Sequence, residues 1–132
     1  MALVSVTRLR LRSIRFLPAF FWYAIRSSSQ AKRATGNLSS DVRSQKNTIF
    51  WTLTVWDDEA SMRQYMLAGA HREAMTKLSQ WCDEASVVHW NQATTEPPSW
   101  DFAEQEMLQH GRFTPLKYPS PAHREKRFSE EH

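Results

Sequence analysis

Five histidines are the side chains of this 132-residue chain whose charge changes most readily near neutral pH, and two of them sit in patterned sequence. His71 lies in DDEASMRQYMLAGAHREAM (57–75), two residues after Gly69, where a helical apolar spacing resumes. An imidazole there suits a general base in a pocket or, through one nitrogen, a ligand of haem iron. As a residue starting a helix it would instead hydrogen-bond a nearby carbonyl or acid. His89 alternates with Val87 and Asn91 on one side of ASVVHWNQ (85–92), as either a pocket group or a core or interface residue. His110, His123 and His132 fall among prolines and charges and are expected in solvent. Trp51, Trp56, Trp22, Tyr23 and Tyr65 could wall a site for a flat apolar ligand, and the same spacing would equally serve a core or a subunit contact. Arg8 shares a strand side with Val4, Val6 and Arg10, where a guanidinium meets either a ligand carboxylate or solvent at the strand end.

Other chemistries are not supported. No Cys/His cluster has metal spacing, and no Gly-rich phosphate loop, dinucleotide fingerprint, nucleophile elbow or two-His-one-carboxylate set occurs. The lone Cys82 cannot form an internal disulfide, so a reducing, cytoplasmic setting is expected. The net charge of +3 comes mainly from arginines near the two ends, without a basic helix carrying stacking aromatics, so nucleic acid is not an expected partner.

These residues need elements to hold them. LVSVTRLRLR (3–12) alternates as a strand. Leu17, Phe20, Phe21, Ala24, Ile25 and Ser28 recur at helical spacing over roughly 15–33, with Pro18 tolerable in the first turn and Gly36–Asn37 as the stop. NLSSDVRSQKN (37–47) reads as a weak strand turning near Lys46 and Asn47. TIFWTLTVW (48–56) is the strongest strand: Ile49, Trp51, Leu53 and Val55 form one side, and Phe50, Thr52, Thr54 and Trp56 the other. Neither side suits water, so something must cover both, and a partner sheet is the economical cover for the second. Residues 58–83 predict a helix broken at Gly69–Ala70, with Asp57 or Asp58 as cap, and 85–92 a last strand. One domain over 1–92 results, followed by a Pro-rich, charged tail over 93–132 that cannot hold a core of its own, although Trp100, Phe102 and Met107 could pin part of it. The arginine-rich start with FLPAFFWYAI (16–25) imitates a targeting peptide, but Pro18, Arg26 and the strand pattern favour folded structure. Ten apolar residues are also too few for a membrane span, which needs about twenty.

The order strand, helix, strand, strand, helix, strand is the ferredoxin-like plan: α+β, an antiparallel βαββαβ sheet with helices on one face. With FWTLTVWDDEASMRQYMLAGAHREAM (50–75), RFLPAFFWYAI (15–25) and CDEASVVHW (82–90) in that order, residues 3–92 resemble a small bacterial group in the dimeric α/β-barrel superfamily. That group comprises the spheroidene-monooxygenase-like proteins and related domains of unknown function, more distantly related to antibiotic-biosynthesis monooxygenases. The resemblance implies a homodimer of sheets packed face to face and a pocket between sheet and helices for an apolar aromatic or polyene small molecule. It also implies a monooxygenase that is cofactor-free or haem-dependent, with His71 as base or haem ligand. A non-catalytic small-molecule-binding or stress-associated protein of the same fold is the other reading, since this fold carries many functions.

Overall fold

The computed structural model describes residues 2–45 and 48–128, with the backbone but not the side chains of Ala70 and His71. The turn expected near Lys46 and Asn47, and His132, lie outside the described residues.

Strand β1 (Ala2–Leu11) leads through a 3-10 turn (Ile14–Phe16) into helix α1 (Leu17–Arg33), and strands β2 (Asn37–Gln45) and β3 (Ile49–Trp56) follow. Helices α2 (Glu59–Met66) and α3 (Gly69–Trp81) come next, then strand β4 (Cys82–Gln92), helix α4 (Trp100–His110), a two-residue strand β5 (Arg112–Phe113) and a short helix α5 (Pro121–Arg124). The sheet is antiparallel throughout in the order β2-β3-β1-β4-β5, so the two strands richest in β-branched and aromatic residues lie inside it. This is the α+β ferredoxin-like arrangement expected, extended at its C-terminal end.

Local chemistry sets the breaks. Asp58 caps α2 by accepting from the Ser61 N–H at 2.8 Å, a bond that also lowers the Asp58 pKa. Gly69, at φ +58°, separates α2 from α3, and a Cβ there would approach the Gln30 side-chain oxygen to 2.9 Å. The Gln30 amide donates to the carbonyls of Tyr65 (3.2 Å) and Ala68 (2.7 Å), satisfying groups that the break frees.

Strand alternation divides the sheet into two faces. On the helix face, α1, α2 and α3 are anchored by two separate apolar clusters. One gathers Leu9, Leu11, Phe20, Cys82 and Ala85, and the other Leu3, Trp56 and Met62. On the far face, Val4, Val6, Trp51, Leu53, Val55 and Val88 form a buried layer with Ala103 and Met107 of α4. The cover that the sequence reading assigned to a partner sheet is therefore supplied by the chain's own C-terminal segment. Trp100, Ala103 and Met107 recur at helical spacing, and Ser99 caps the helix by accepting from the Phe102 N–H at 3.1 Å.

Beyond α4 the segment is held by a buried ion pair. Arg8 donates to Glu84 at 2.7 Å, Arg10 reaches the other carboxylate oxygen at 3.1 Å, and the Ser120 hydroxyl donates to that same oxygen at 2.8 Å. Arg8 also lies 5.3 Å from the Phe128 ring centre. His123, expected in solvent, is buried here, its Nε2 2.9 Å from the Thr114 carbonyl.

Helix α1 keeps most of its expected inner stripe: Phe20 is buried, Leu17 and Ala24 pack with it, and the Phe21 ring, though partly exposed, meets Phe50 of β3 edge-on with centres 5.5 Å apart. Ile25, read as part of that stripe, is exposed together with Trp22. The helix is apolar on both sides in its first half, and spacing alone cannot rank two apolar stripes.

Glu84→Gln removes the buried charge that Arg8 and Arg10 share, so urea unfolding is expected to show a loss of about 3–5 kcal/mol. Glu104→Gln, which breaks the more exposed 3.3 Å pair with Arg43, is expected to cost no more than about 1 kcal/mol.

Candidate functional site

The helix-face side chains at the middle of the sheet lie between the two anchoring clusters. Thr54, Ser5 and His89 stand side by side across β3, β1 and β4, and Thr52, Thr7 and Val87 form the next row. All six are partly exposed, although their strands are interior to the sheet and helices lie above them. On the same strands, Val4, Val6, Leu53, Val55 and Val88 of the far face are buried. Partial exposure on the helix-covered face beside a sealed far face makes these rows of four hydroxyls and one imidazole the floor of the candidate cleft between sheet and helices.

One end of this cleft is aromatic. The Trp56 indole donates to the Thr54 hydroxyl at 2.8 Å, and its ring lies 5.3 Å from that of Tyr65. Tyr65 donates in turn to the Ser27 carbonyl at 3.1 Å, and burial raises its phenol pKa. At the other end the Phe20 and Phe50 rings meet at 4.6 Å.

His89 is the reactive group of the floor. Its Nε2 is buried and has no hydrogen-bond partner among the described residues, an uncommon state for a buried polar atom. Its pKa is lowered, first by burial and then by Arg112, with Arg63 adding to the effect and Glu59 opposing it. The ring is therefore neutral at pH 7. Arg112 reaches this region through β5. It pairs in register with Val87 and so shares the helix face, while Phe113 pairs with Ser86 on the far face, against His123 (5.3 Å) and Phe128 (4.9 Å).

The residues singled out in sequence are divided by the fold. Trp56, Tyr65 and His89 share the helix face. Trp51 lies on the far face, donating to the Gln45 side chain at 3.0 Å, and Arg8 is there in its ion pair. Trp22 is on the outer side of α1, and Tyr23 packs against Trp81 with ring centres 5.7 Å apart. His71 is the third residue of α3, and its side chain lies outside the described residues. Sequence reasoning passed over Ser5, Thr7, Thr52, Thr54 and Arg112. The hydroxyls were signalled by SVT and TLT, polar positions in the middle of strands whose ends are apolar. Arg112 carried no signal, because its position depends on β5 pairing.

Among the described residues no three His, Cys, Asp or Glu side chains converge on a metal-sized site. Cys82 is fully buried, and burial with nearby Asp83 pushes its thiol up to about 12, so it is no nucleophile. A separate open groove of about 370 Å3 between the end of α1 and α2 is lined by Gln30, Arg33, Ser61 and Gln64 among others. Tyr65 also lines it, but the Tyr65 hydroxyl donates to the Ser27 carbonyl and the Gln30 amide ties the helices.

Residues 17–114 match the family model Domain of unknown function (DUF3291). The chain is a member of the DUF3291 family. No curated protein matches the DUF3291 chain in sequence. Among solved structures it is similar to a conserved protein of Methanosarcina mazei Go1, at 18% identity and TM-score 0.62 over 70% of this chain and 93% of that one. It is also similar to SnoaB, a cofactor-independent oxygenase of Streptomyces nogalater, at 16% identity and TM-score 0.58 over 74% and 98%. A third is a Nitrosomonas europaea protein assigned provisionally as an antibiotic biosynthesis monooxygenase, at 14% identity and TM-score 0.63 over 70% and 90%. At these identities the likeness establishes the ferredoxin-like, monooxygenase-type fold of the DUF3291 chain and nothing of its chemistry.

The lowered His89 pKa has a thermodynamic consequence. Above the ordinary value of 6.5 both folded and unfolded chains hold a neutral ring, and below it the unfolded chain takes up the proton first. Folding stability is thus expected to fall as pH drops from 6.5 through the folded-state value. In His89→Gln that part of the slope should vanish, as read by thermal unfolding across the range, and an NMR titration should place the His89 midpoint below 6.5.

Proposed function

We propose that the cleft binds a planar, enolisable or phenolic aromatic molecule and oxygenates it without a bound cofactor. The observation that carries this reading is the unpartnered, buried Nε2 of a neutral His89, set among hydroxyls beneath the helices. A neutral imidazole accepts a proton from an acidic C–H or O–H, and the hydroxyls of Ser5 and Thr54 supply hydrogen bonds to the substrate's oxygen atoms. The resulting electron-rich anion reduces dioxygen and forms the C–O bond of a hydroperoxide, with the proton held by His89 passing to the peroxide. Loss of water then leaves a ketone, so that RH2 and O2 give R=O and H2O. Tyr65, partly exposed and backed by the buried Trp56 ring, offers an aromatic wall for such a ring system, and Arg112 an anchor for an acidic substituent.

The donor set suits haem less well. A porphyrin face packs on apolar side chains, whereas the floor around His89 is lined by Ser5, Thr7, Thr52 and Thr54. His71, at the start of α3, is the second histidine proposed to serve the site. A homodimer would have to pair through a surface other than the far face, which α4 fills.

The test is oxygen uptake with a hydroxyanthrone and with a carboxylated anthrone, compared among wild type, His89→Ala and His71→Ala, alongside a haemin titration. Wild type is expected to form quinone in step with oxygen consumed, and His89→Ala to lose roughly 10²–10⁴-fold in kcat. Arg112→Gln should raise KM about tenfold for the carboxylated probe and leave the uncharged one unchanged. Saturable binding without oxygen uptake would instead establish a non-catalytic binding protein. A Soret shift abolished by either histidine variant would transfer the chemistry to haem.

A further inference from the structure

The outer side of α1 carries a surface that the cleft does not explain. Ile14, Phe21, Trp22 and Ile25 are 67%, 47%, 55% and 68% exposed, and Pro18 between them is exposed too. Pro18, Phe21, Trp22 and Ile25 follow the spacing 0, 3, 4, 7, so they form one stripe along the first half of the helix, with Ile14 continuing it through the preceding turn. Phe21 stands at the inner margin of the stripe, its ring edge-on to that of Phe50 of β3 at 5.5 Å, whereas Ile14, Pro18, Trp22 and Ile25 stay exposed on the outer side. An apolar patch of this size at a helix surface marks a contact with something else.

The charge around the patch selects the partner. From Ser13 to Arg33 the chain holds Arg15, Arg26, Lys32 and Arg33 and no acid, and no acid occurs anywhere before Asp41. Arg26 lies 4.6 Å over the Trp22 ring and Arg15 4.8 Å over that of Phe16, an arrangement in which apolar stems lie along aromatics and charged heads stand at the rim. The facing acid is Glu73 of α3, 3.7 Å from Arg26. A second copy placed on this stripe by two-fold symmetry would bring the same cations against one another. No described helix is long and apolar enough to cross a membrane, and aromatics flanked by Arg and Lys are the composition of a helix lying in an interface plane.

We propose that the outer face of α1 docks this protein on an anionic lipid surface, with Ile14, Trp22 and Ile25 entering the headgroup boundary and Arg15, Arg26, Lys32 and Arg33 pairing with lipid phosphates. The docking is independent of the reading of the cleft. The experiment is co-sedimentation of the full chain with vesicles of phosphatidylcholine alone and of phosphatidylcholine mixed with phosphatidylglycerol. Binding is expected only to the mixed vesicles, falling at least about tenfold as added salt screens the charges. It should be lost in Trp22→Glu/Ile25→Glu, whose circular dichroism should match wild type because both positions are exposed. Arg15→Gln/Arg26→Gln, which leaves the apolar stripe intact, should weaken binding to the mixed vesicles. Absence of binding to mixed vesicles, or equal binding by the Glu variant, would overturn the proposal. So would light scattering that shows a wild-type dimer converted to monomer by the Glu variant, since the occupant would then be a second copy.

Discussion

Strand β3 has large apolar side chains on both faces, and because it lies inside the sheet every element above and below must answer to that fact. Ile49, Trp51, Leu53 and Val55 require one cover, and Phe50 and Trp56 another. The two covers are unequal. The far face receives α4 and closes, with Val4, Val6 and Val55 fully inaccessible. The helix face receives α1, α2 and α3, which seal it at the ends and leave the hydroxyl rows between. Rigidity comes from the closed face and accessibility from the open one, so that a polar floor is held on a packed base.

The closed face is also where charge is buried. Arg8 and Glu84 each lose their hydration in pairing, and the pair is tolerable because Arg10 and Ser120 satisfy the second carboxylate oxygen. Such a pair adds little net stability over an apolar substitute, but it specifies register: Ser120 can reach Glu84 only if the chain after α4 runs back along β4. That path forms β5, and β5 sends Phe113 to one face and Arg112 to the other. Packing on one side of the sheet thus sets an electrostatic group on the opposite side.

Much of the fold was legible because its strands have clear periods. The alternation of β1 and β3, the cap and acids before α2, and the interruption at Gly69 each carry a local physical cause. The parts that were not legible depended on tertiary contacts. Residues 93–132, judged by their prolines and charges, read as a tail, although Trp100, Ala103 and Met107 already had helical spacing behind a Ser cap. A single short helix cannot be assigned a place without the surface it covers. The candidate site was half visible. Trp56, Tyr65 and His89 converge as strand and helix parity allow, whereas Trp51 and Arg8 differ from them in parity and could never share a pocket with them. Trp22 and Tyr23 belong to a helix apolar on both sides, where sequence offers no basis for choosing the inner one.

The proximity of Arg112 to His89 has two opposed effects on a proton transfer in the cleft. By lowering the proton affinity of the imidazole, the guanidinium makes a poorer base. By lying near the place where the substrate anion would form, it makes that substrate a stronger acid, and in a site partly withdrawn from water both effects are enlarged. The two nearly offset each other if the cation lies equally close to ring and anion, and they favour transfer if the anion is nearer. An exposed side chain on an edge strand can approach an entering ligand more closely than it can approach a ring already buried in the floor. Under the proposed function, this arrangement would favour substrates whose developing charge lies toward the β5 edge, with His89 as the proton acceptor.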